Sequence, residues 1–93
     1  METQCFVYIL YSHSKDKFYV GYTCQLAERF VRHQSGYSKS TKSGRPWVIA
    51  YLERFANASS AYQRELQIKR KKSRRYLQEL ANSYHANPFP IPE

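Results

Sequence analysis

Cysteines and acidic side chains are scarce in this chain of 93 residues. Cys5 and Cys24 are its only two cysteines, too few for a disulfide framework or a four-ligand zinc site. No apolar run approaches the ~18–20 residues that span a bilayer, so no membrane partner is expected. The opening Met1 to Gln4 has no basic stretch followed by an apolar one. No secretory leader is therefore expected, and the cytoplasm is the expected compartment. Internal repeats and a second domain are also absent. What remains is enough for one small core: 42 % of the residues are hydrophobic and 16 % aromatic. A chain this short buries only about 60–70 % of its unfolded surface.

Seven acidic residues stand against fifteen Lys and Arg, a net charge of +8. That balance on a small body implies a polyanionic partner, with nucleic acid ahead of an acidic membrane surface. The bland alternative is a soluble protein that is merely basic, and the distribution argues against it. Seven of the fifteen cations fall between Arg64 and Arg75, and Lys39, Lys42 and Arg45 share one Gly/Ser-rich loop.

Cys5 to Tyr11 is a continuous apolar run rich in β-branched and aromatic residues, which predicts a central strand covered on both faces. Ser12 to Asp16 turns the chain, and Lys17 to Tyr22 completes an antiparallel hairpin. Trp47 to Phe55 is a third strand, opened by Pro46. Between the second and third strands, Gln25 to Gln34 predicts a helix with Thr23 as N-cap and Gly36 as C-cap. Its apolar stripe is Leu26, Ala27, Phe30 and Val31, with Arg29 and His33 on the flank and Glu28 and Arg32 toward solvent. A second helix starts at Ser60, with Gln63 completing a capping box, and runs to about Lys71. Ser73 opens a third, with Tyr76, Leu77, Leu80, Ala81 and Tyr84 facing inward. The expected fold class is α+β: a three-stranded antiparallel sheet flanked by three helices, as one domain over 1–84. Residues 85–93, with Pro88, Pro90 and Pro92, are the expected extended tail.

Glu65 is the residue that invites a chemical reading. It shares a helix face with Ala61 and Ile68, the side that packs inward. An ionised carboxylate there costs several kcal/mol unless it is paired or ligates a cation. A nearby Arg partner is the structural alternative. Arg29 and His33 pose the same question, since either could simply be a solvated or packed rim residue. Together, an Arg, a neighbouring His and an inward carboxylate suit phosphodiester cleavage: the Arg stabilises phosphorane charge and the carboxylate holds a metal. Tyr8 and Tyr19 lie on paired strands, and a phenol serves as a general base only if a cation or metal lowers its pKa from about 10. Tyr11, Tyr51, Tyr62 and Tyr84 are read as packing residues.

In order, Val7-Tyr8-Ile9-Leu10, Tyr19-Val20-Gly21-Tyr22-Thr23, Leu26 to His33, and Glu65 on a helix resemble the GIY-YIG nuclease superfamily. The likeness is closest to its small stand-alone members, related to the UPF0213 and structure-specific endonuclease subunit groups. Ser35-Gly36, Gly44-Arg45-Pro46-Trp47 and Ile68-Lys69 fit that group too, and the match runs from about Phe6 to Leu80. The resemblance implies a nuclease using one divalent ion, Mg²⁺ or Mn²⁺, held by Glu65. Tyr8 and Tyr19 would stand for the motif tyrosines, one of them helping to deprotonate the attacking water. Arg29 would stabilise the transition state, His33 would orient a tyrosine or shuttle a proton, and Gly21 would keep the backbone clear. Two positions depart from the pattern: Phe6 replaces the first motif's glycine and Val7 its isoleucine. The asparagine that many larger members carry after the glutamate has only Asn82 as a candidate.

The expected function is therefore a metal-dependent endonuclease on DNA, with low sequence specificity and a structure or single-strand preference. The alternative is a non-catalytic nucleic-acid-binding module that keeps the basic face. Lys39, Lys42 and Arg45, with Lys69, Arg70, Lys71 and Lys72, are the expected phosphate contacts, and nothing resembles a helix reading base edges. A protein partner could supply selectivity, and a monomer or weak dimer is expected.

Overall fold

The computed structural model describes residues 4–37, 39 and 41–85. Its elements are β1 (Cys5–Ser12), β2 (Lys17–Thr23), α1 (Leu26–Ser35), a 3₁₀ turn (Lys42–Gly44), β3 (Trp47–Phe55), α2 (Ala58–Lys71) and α3 (Arg74–His85). The three strands form one antiparallel sheet in the order β2-β1-β3, so the most apolar strand is indeed the central one. The α+β class expected from the sequence is the one observed. Helix α3 runs through His85, and the proline-bearing tail from residue 86 onward lies outside the described residues.

Alternation along β1 divides the core in two. Cys5, Val7, Ile9 and Tyr11 point to the side covered by α2 and α3, where they meet Ala61, Ile68 and Ala81. Tyr8 and Leu10 point the other way and are covered by Trp47, with Leu26 and Phe30 of α1 packed alongside. The tight β1–β2 turn is clamped to the start of α3. Asp16, with φ of 50°, accepts from the Tyr11 hydroxyl at 2.5 Å and pairs with the Arg74 guanidinium at 2.6 Å.

Several local expectations are corrected. Helix α1 is rotated from the predicted stripe: Val31 is 64 % exposed, Ala27 is also exposed, and the inward line is the half-buried Leu26 and Phe30 with the buried His33. A buried imidazole takes the place of the predicted aliphatic because polar partners await it below. The N-cap position is Gln25, and Thr23 instead accepts from the Gln25 N–H at 3.0 Å. Helix α2 starts one turn early, capped by Asn57, whose side chain accepts from the Ser60 N–H at 2.8 Å. Ser73 does cap α3, accepting from the Tyr76 N–H at 3.1 Å. The two cysteines, too few for a framework, still form one disulfide that ties the start of β1 to the residue after β2.

Candidate active site

Tyr8 is the hub. It lies on the α1 side of β1, directly across from Gly21 on β2. A Cβ at position 21 would come within 2.5 Å of the Tyr8 hydroxyl, so the absence of a side chain there is what lets the phenol lie across β2. Tyr19, one pair along on the same face, sits with its ring centroid 6.4 Å from that of Tyr8. Both rings lean on His33, at 5.7 and 5.1 Å.

His33 is held at both nitrogens. Its Nε2 is 3.0 Å from the Tyr8 hydroxyl and its Nδ1 is 2.7 Å from the Thr41 hydroxyl. Thr41 is itself fully buried, and its carbonyl accepts from the Trp47 indole N–H at 2.7 Å. Gln34 completes the frame by bonding both the N–H and the carbonyl of Trp47, at 2.6 and 2.7 Å. Thr41 is a site residue that sequence reading missed. Its only signal was a small hydroxyl within the basic loop, too common a feature to single out.

Electrostatics sharpen the picture. Burial, and then the neighbouring Tyr19, push the Tyr8 phenol up to about 12, with Glu65 adding to the rise. The charge of the neighbouring Arg29 guanidinium opposes this. Burial, aided by the Arg29 charge, lowers the His33 pKa below its ordinary value, which leaves a neutral imidazole at pH 7. Arg29 itself is exposed and lines an open cleft of about 400 Å³ with Tyr22, Thr23, Cys24 and Gln25. Arg32, one turn on, is occupied by Glu28 at 3.1 Å and lies over the Tyr37 ring.

Glu65 comes from α2, and its charge contributes to the rise at the Tyr8 phenol. It is buried, 8 % exposed, and its Oε1 is 3.2 Å from the Lys69 ammonium. Among the described residues no group of three or more His, Cys, Asp or Glu could hold a metal ion. The donor chemistry fits a Mg²⁺ that keeps most of its waters and takes substrate phosphate oxygens, and it does not fit an all-protein cage. Asn82 lies on α3, where its side chain accepts from Gln78 at 2.8 Å.

The predicted phosphate contacts divide into groups. Lys39, Lys42 and Arg45 line one open cleft of about 850 Å³ with Gln34, Ser43 and Pro46. The Arg45 guanidinium is braced there by its Nε–H bond to the Lys42 carbonyl at 2.9 Å. Lys69 and Lys72 line a smaller cleft of about 290 Å³, shared with Phe18 and Tyr19, beside the β2 edge. Lys71 rests over the Tyr76 ring, while Arg70 is exposed on α2. The neighbouring Arg64 and Arg74 are bound within the fold, to Glu53 and Asp16, while Arg75 makes an exposed pair with Glu79 on α3.

The description "GIY-YIG catalytic domain" matches residues 4–78. The chain is 37 % identical over 70 residues to the UPF0213 protein OB0043 of Oceanobacillus iheyensis, covering 74 % of this chain and 80 % of that one. It is 38 % identical over 65 residues to the UPF0213 protein SH2523 of Staphylococcus haemolyticus, covering 69 % and 78 %. With the UPF0213 protein YazA of Bacillus subtilis the identity is 33 % over 90 residues, covering 92 % and 91 %. No solved structure matches. The domain match supports an endonuclease-type hydrolase, and the relatives' names add no activity.

Proposed function

The chain belongs to the GIY-YIG family, and from that premise we propose that it is a divalent-metal-dependent endonuclease hydrolysing phosphodiester bonds in DNA. The observation that carries this reading is the buried relay from Tyr8 through His33 to Thr41. A surface that only binds phosphate needs no such buried relay.

In this mechanism Arg29 grips the scissile phosphate and stabilises the charge that grows on it in the transition state. Tyr8 is no standing base, because its phenol is pushed up to about 12. It instead takes a proton from the attacking water as it passes its own to Nε2 of His33, 3.0 Å away. The neutral imidazole is ready to receive that proton. With Thr41 accepting from Nδ1–H, the tautomer this relay requires, the Nε2 lone pair faces the phenol. As the water oxygen bonds to phosphorus, the opposite P–O bond breaks, and the departing oxygen takes a proton from solvent. Glu65 would hold one Mg²⁺ or Mn²⁺, which when bound supplies Lewis-acid stabilisation of phosphoryl charge. Tyr19 packs on His33 and keeps the ring in place.

Specificity in this reading is low for sequence and set by DNA form, with single-stranded or structured substrates preferred. Lys39, Lys42, Arg45 and the Lys69 to Lys72 segment follow the backbone electrostatically. A partner protein would add selectivity to a monomer or weak dimer. The cytoplasm is the proposed compartment, and in its reducing setting Cys5 and Cys24 would stand as a dithiol. The test is cleavage of a panel of single-stranded, nicked, flap and junction DNAs with Mg²⁺ or a chelator. Cleavage that needs Mg²⁺, and that Glu65→Gln abolishes while DNA binding persists, supports the reading. Binding without cleavage on every substrate favours the non-catalytic module.

A further inference from the structure

Tyr62 has the sequence position of a packing residue, yet it is 46 % exposed. It stands on the first turns of α2, next to the inward Ala61 and three residues before Glu65. Its ring leans on Tyr22 at the end of β2, with centroids 5.5 Å apart and planes at 59°. Tyr22 in turn lines the cleft of about 400 Å³ that Arg29 also lines. Tyr22 packs partly against the core of Cys5, Val7, Ala61 and Ile68, whereas Tyr62 belongs to none of the core clusters.

We propose that Tyr22 and Tyr62 form a stacking subsite for one unpaired nucleobase beside the scissile phosphate. Three observations choose that occupant. The cleft is lined by hydroxyl, amide and guanidinium groups, which suits a heterocycle on a charged backbone better than an apolar protein side chain. Arg29, which shares the cleft with Tyr22, and Glu65, three residues after Tyr62 on α2, are the groups assigned to the phosphate and its metal. Tyr62 and Glu65 are separated by less than one helical turn, about 4.5 Å of rise, so a base on the rings is a neighbour of the bond being cut. A base offers its π-face only when it has left the duplex stack, so the subsite selects single-stranded or locally unpaired DNA. The inference deepens the nuclease reading, on which its placement beside a scissile bond rests, but stacking itself needs no cleavage.

The experiment compares two strands of equal length and phosphate number, oligodeoxythymidylate and an oligomer made entirely of abasic sites. Binding of each is read by fluorescence anisotropy in chelator, so that neither is cut. The wild type is expected to prefer the thymidylate strand by roughly five- to hundredfold, the range that one stacked base spans. Tyr62→Ala is expected to lose most of that preference without weakening the abasic strand, whereas Tyr62→Phe keeps it. Circular dichroism verifies that each variant is folded. Equal weakening of both strands by Tyr62→Ala, or an undiminished preference, overturns the subsite. Cleavage of the thymidylate strand with Mg²⁺ is scored separately. Base preference through Tyr62 without cleavage sinks the nuclease reading alone, and cleavage without that preference sinks the subsite alone.

Discussion

The two faces of the sheet are both buried, but they are held by different chemistry. Toward α2 and α3, Val7, Ile9, Ala50, Ile68 and Ala81 meet as hydrocarbon, and the Tyr11 hydroxyl on that side bonds Asp16 at the β1–β2 turn. Toward α1, the same depth contains Tyr8, His33 and Thr41 beside Leu10 and Trp47. Every fully buried side-chain nitrogen and oxygen among the described residues has a hydrogen-bond partner. On the α1 face those partners form one connected frame: Tyr8 to His33, His33 to Thr41, Thr41 to Trp47, and Trp47 to Gln34. Hydrogen bonds of this kind offset desolvation with little left over, so an apolar set would stabilise the fold as well or better. The difference teaches that one face is built for stability and the other for holding protons in place.

That contrast breaks most sharply under paired substitutions. Tyr8→Phe is expected to slow cleavage by about 10²–10⁴ while changing stability by only ~1 kcal/mol, since it deletes one relay proton and keeps the ring. Ile68→Ala reverses the pattern: a loss of about 2–5 kcal/mol in urea unfolding, with the cleavage rate per folded molecule unchanged. Similar effects from both variants would erase the distinction between the faces.

The disulfide is the next largest effect. Reducing Cys5–Cys24, whose residues are 19 apart in sequence, is expected to lower the unfolding free energy by about 3 kcal/mol. Urea titrations with and without reductant measure it.

Protonation of His33 tests the relay face directly. Its folded pKa lies below the unfolded value of about 6.5, so between the two the unfolded chain binds more protons. Stability from this residue is therefore complete above pH 6.5 and falls as pH drops through that value toward the folded pKa. Cleavage is expected to fall below its plateau only at the lower, folded pKa, because the relay needs a neutral acceptor. A rate that rises on acidification contradicts the assigned direction of proton transfer. Thr41→Val is expected to alter this profile, by releasing Nδ1 from its partner.

The smallest effect concerns Lys69, the cation that occupies Glu65 at 3.2 Å. Lys69→Met is expected to tighten Mn²⁺ binding by roughly two- to fivefold, the scale of one exposed ion pair. Manganese electron paramagnetic resonance reads this without any cleavage. Unchanged or weaker affinity would mean that Lys69 does not compete with the metal.

Much of this architecture was legible in the residues. The apolar run at Cys5 to Tyr11 and the alternation around it identified the central strand, and β3 matches its predicted bounds. Glu65 stood out because a carboxylate on an inward helix face conflicts with its neighbours, and the structure does bury it there. Helix α1 was misread for a physical reason. Periodicity assigns the core face to aliphatic residues, but here buried hydroxyls at Tyr8 and Thr41 draw His33 inward and leave Val31 in water. Thr41 and the disulfide were hidden because both depend on contacts between segments far apart in sequence. In the basic stretch from Arg64 to Arg75, Arg64 and Arg74 pair with the sequence-distant Glu53 and Asp16.

The central claim, that preorganised charge at the Tyr8 cluster accelerates phosphodiester cleavage, is tested most directly by comparing Arg29→Ala with Arg32→Ala. The two arginines lie three residues apart on α1, one beside the Tyr8 phenol and the other engaged with Glu28. The measurement is single-turnover cleavage of DNA at saturating enzyme and Mg²⁺, with folding checked by circular dichroism. The account predicts a loss of about 10²–10³ in rate for Arg29→Ala, or roughly 3–4 kcal/mol of barrier, with partial rescue by Lys at that position. Arg32→Ala is expected to stay within a few-fold of wild type, because its contacts do not reach the reacting phosphate. Equal slowing by the two variants would contradict it.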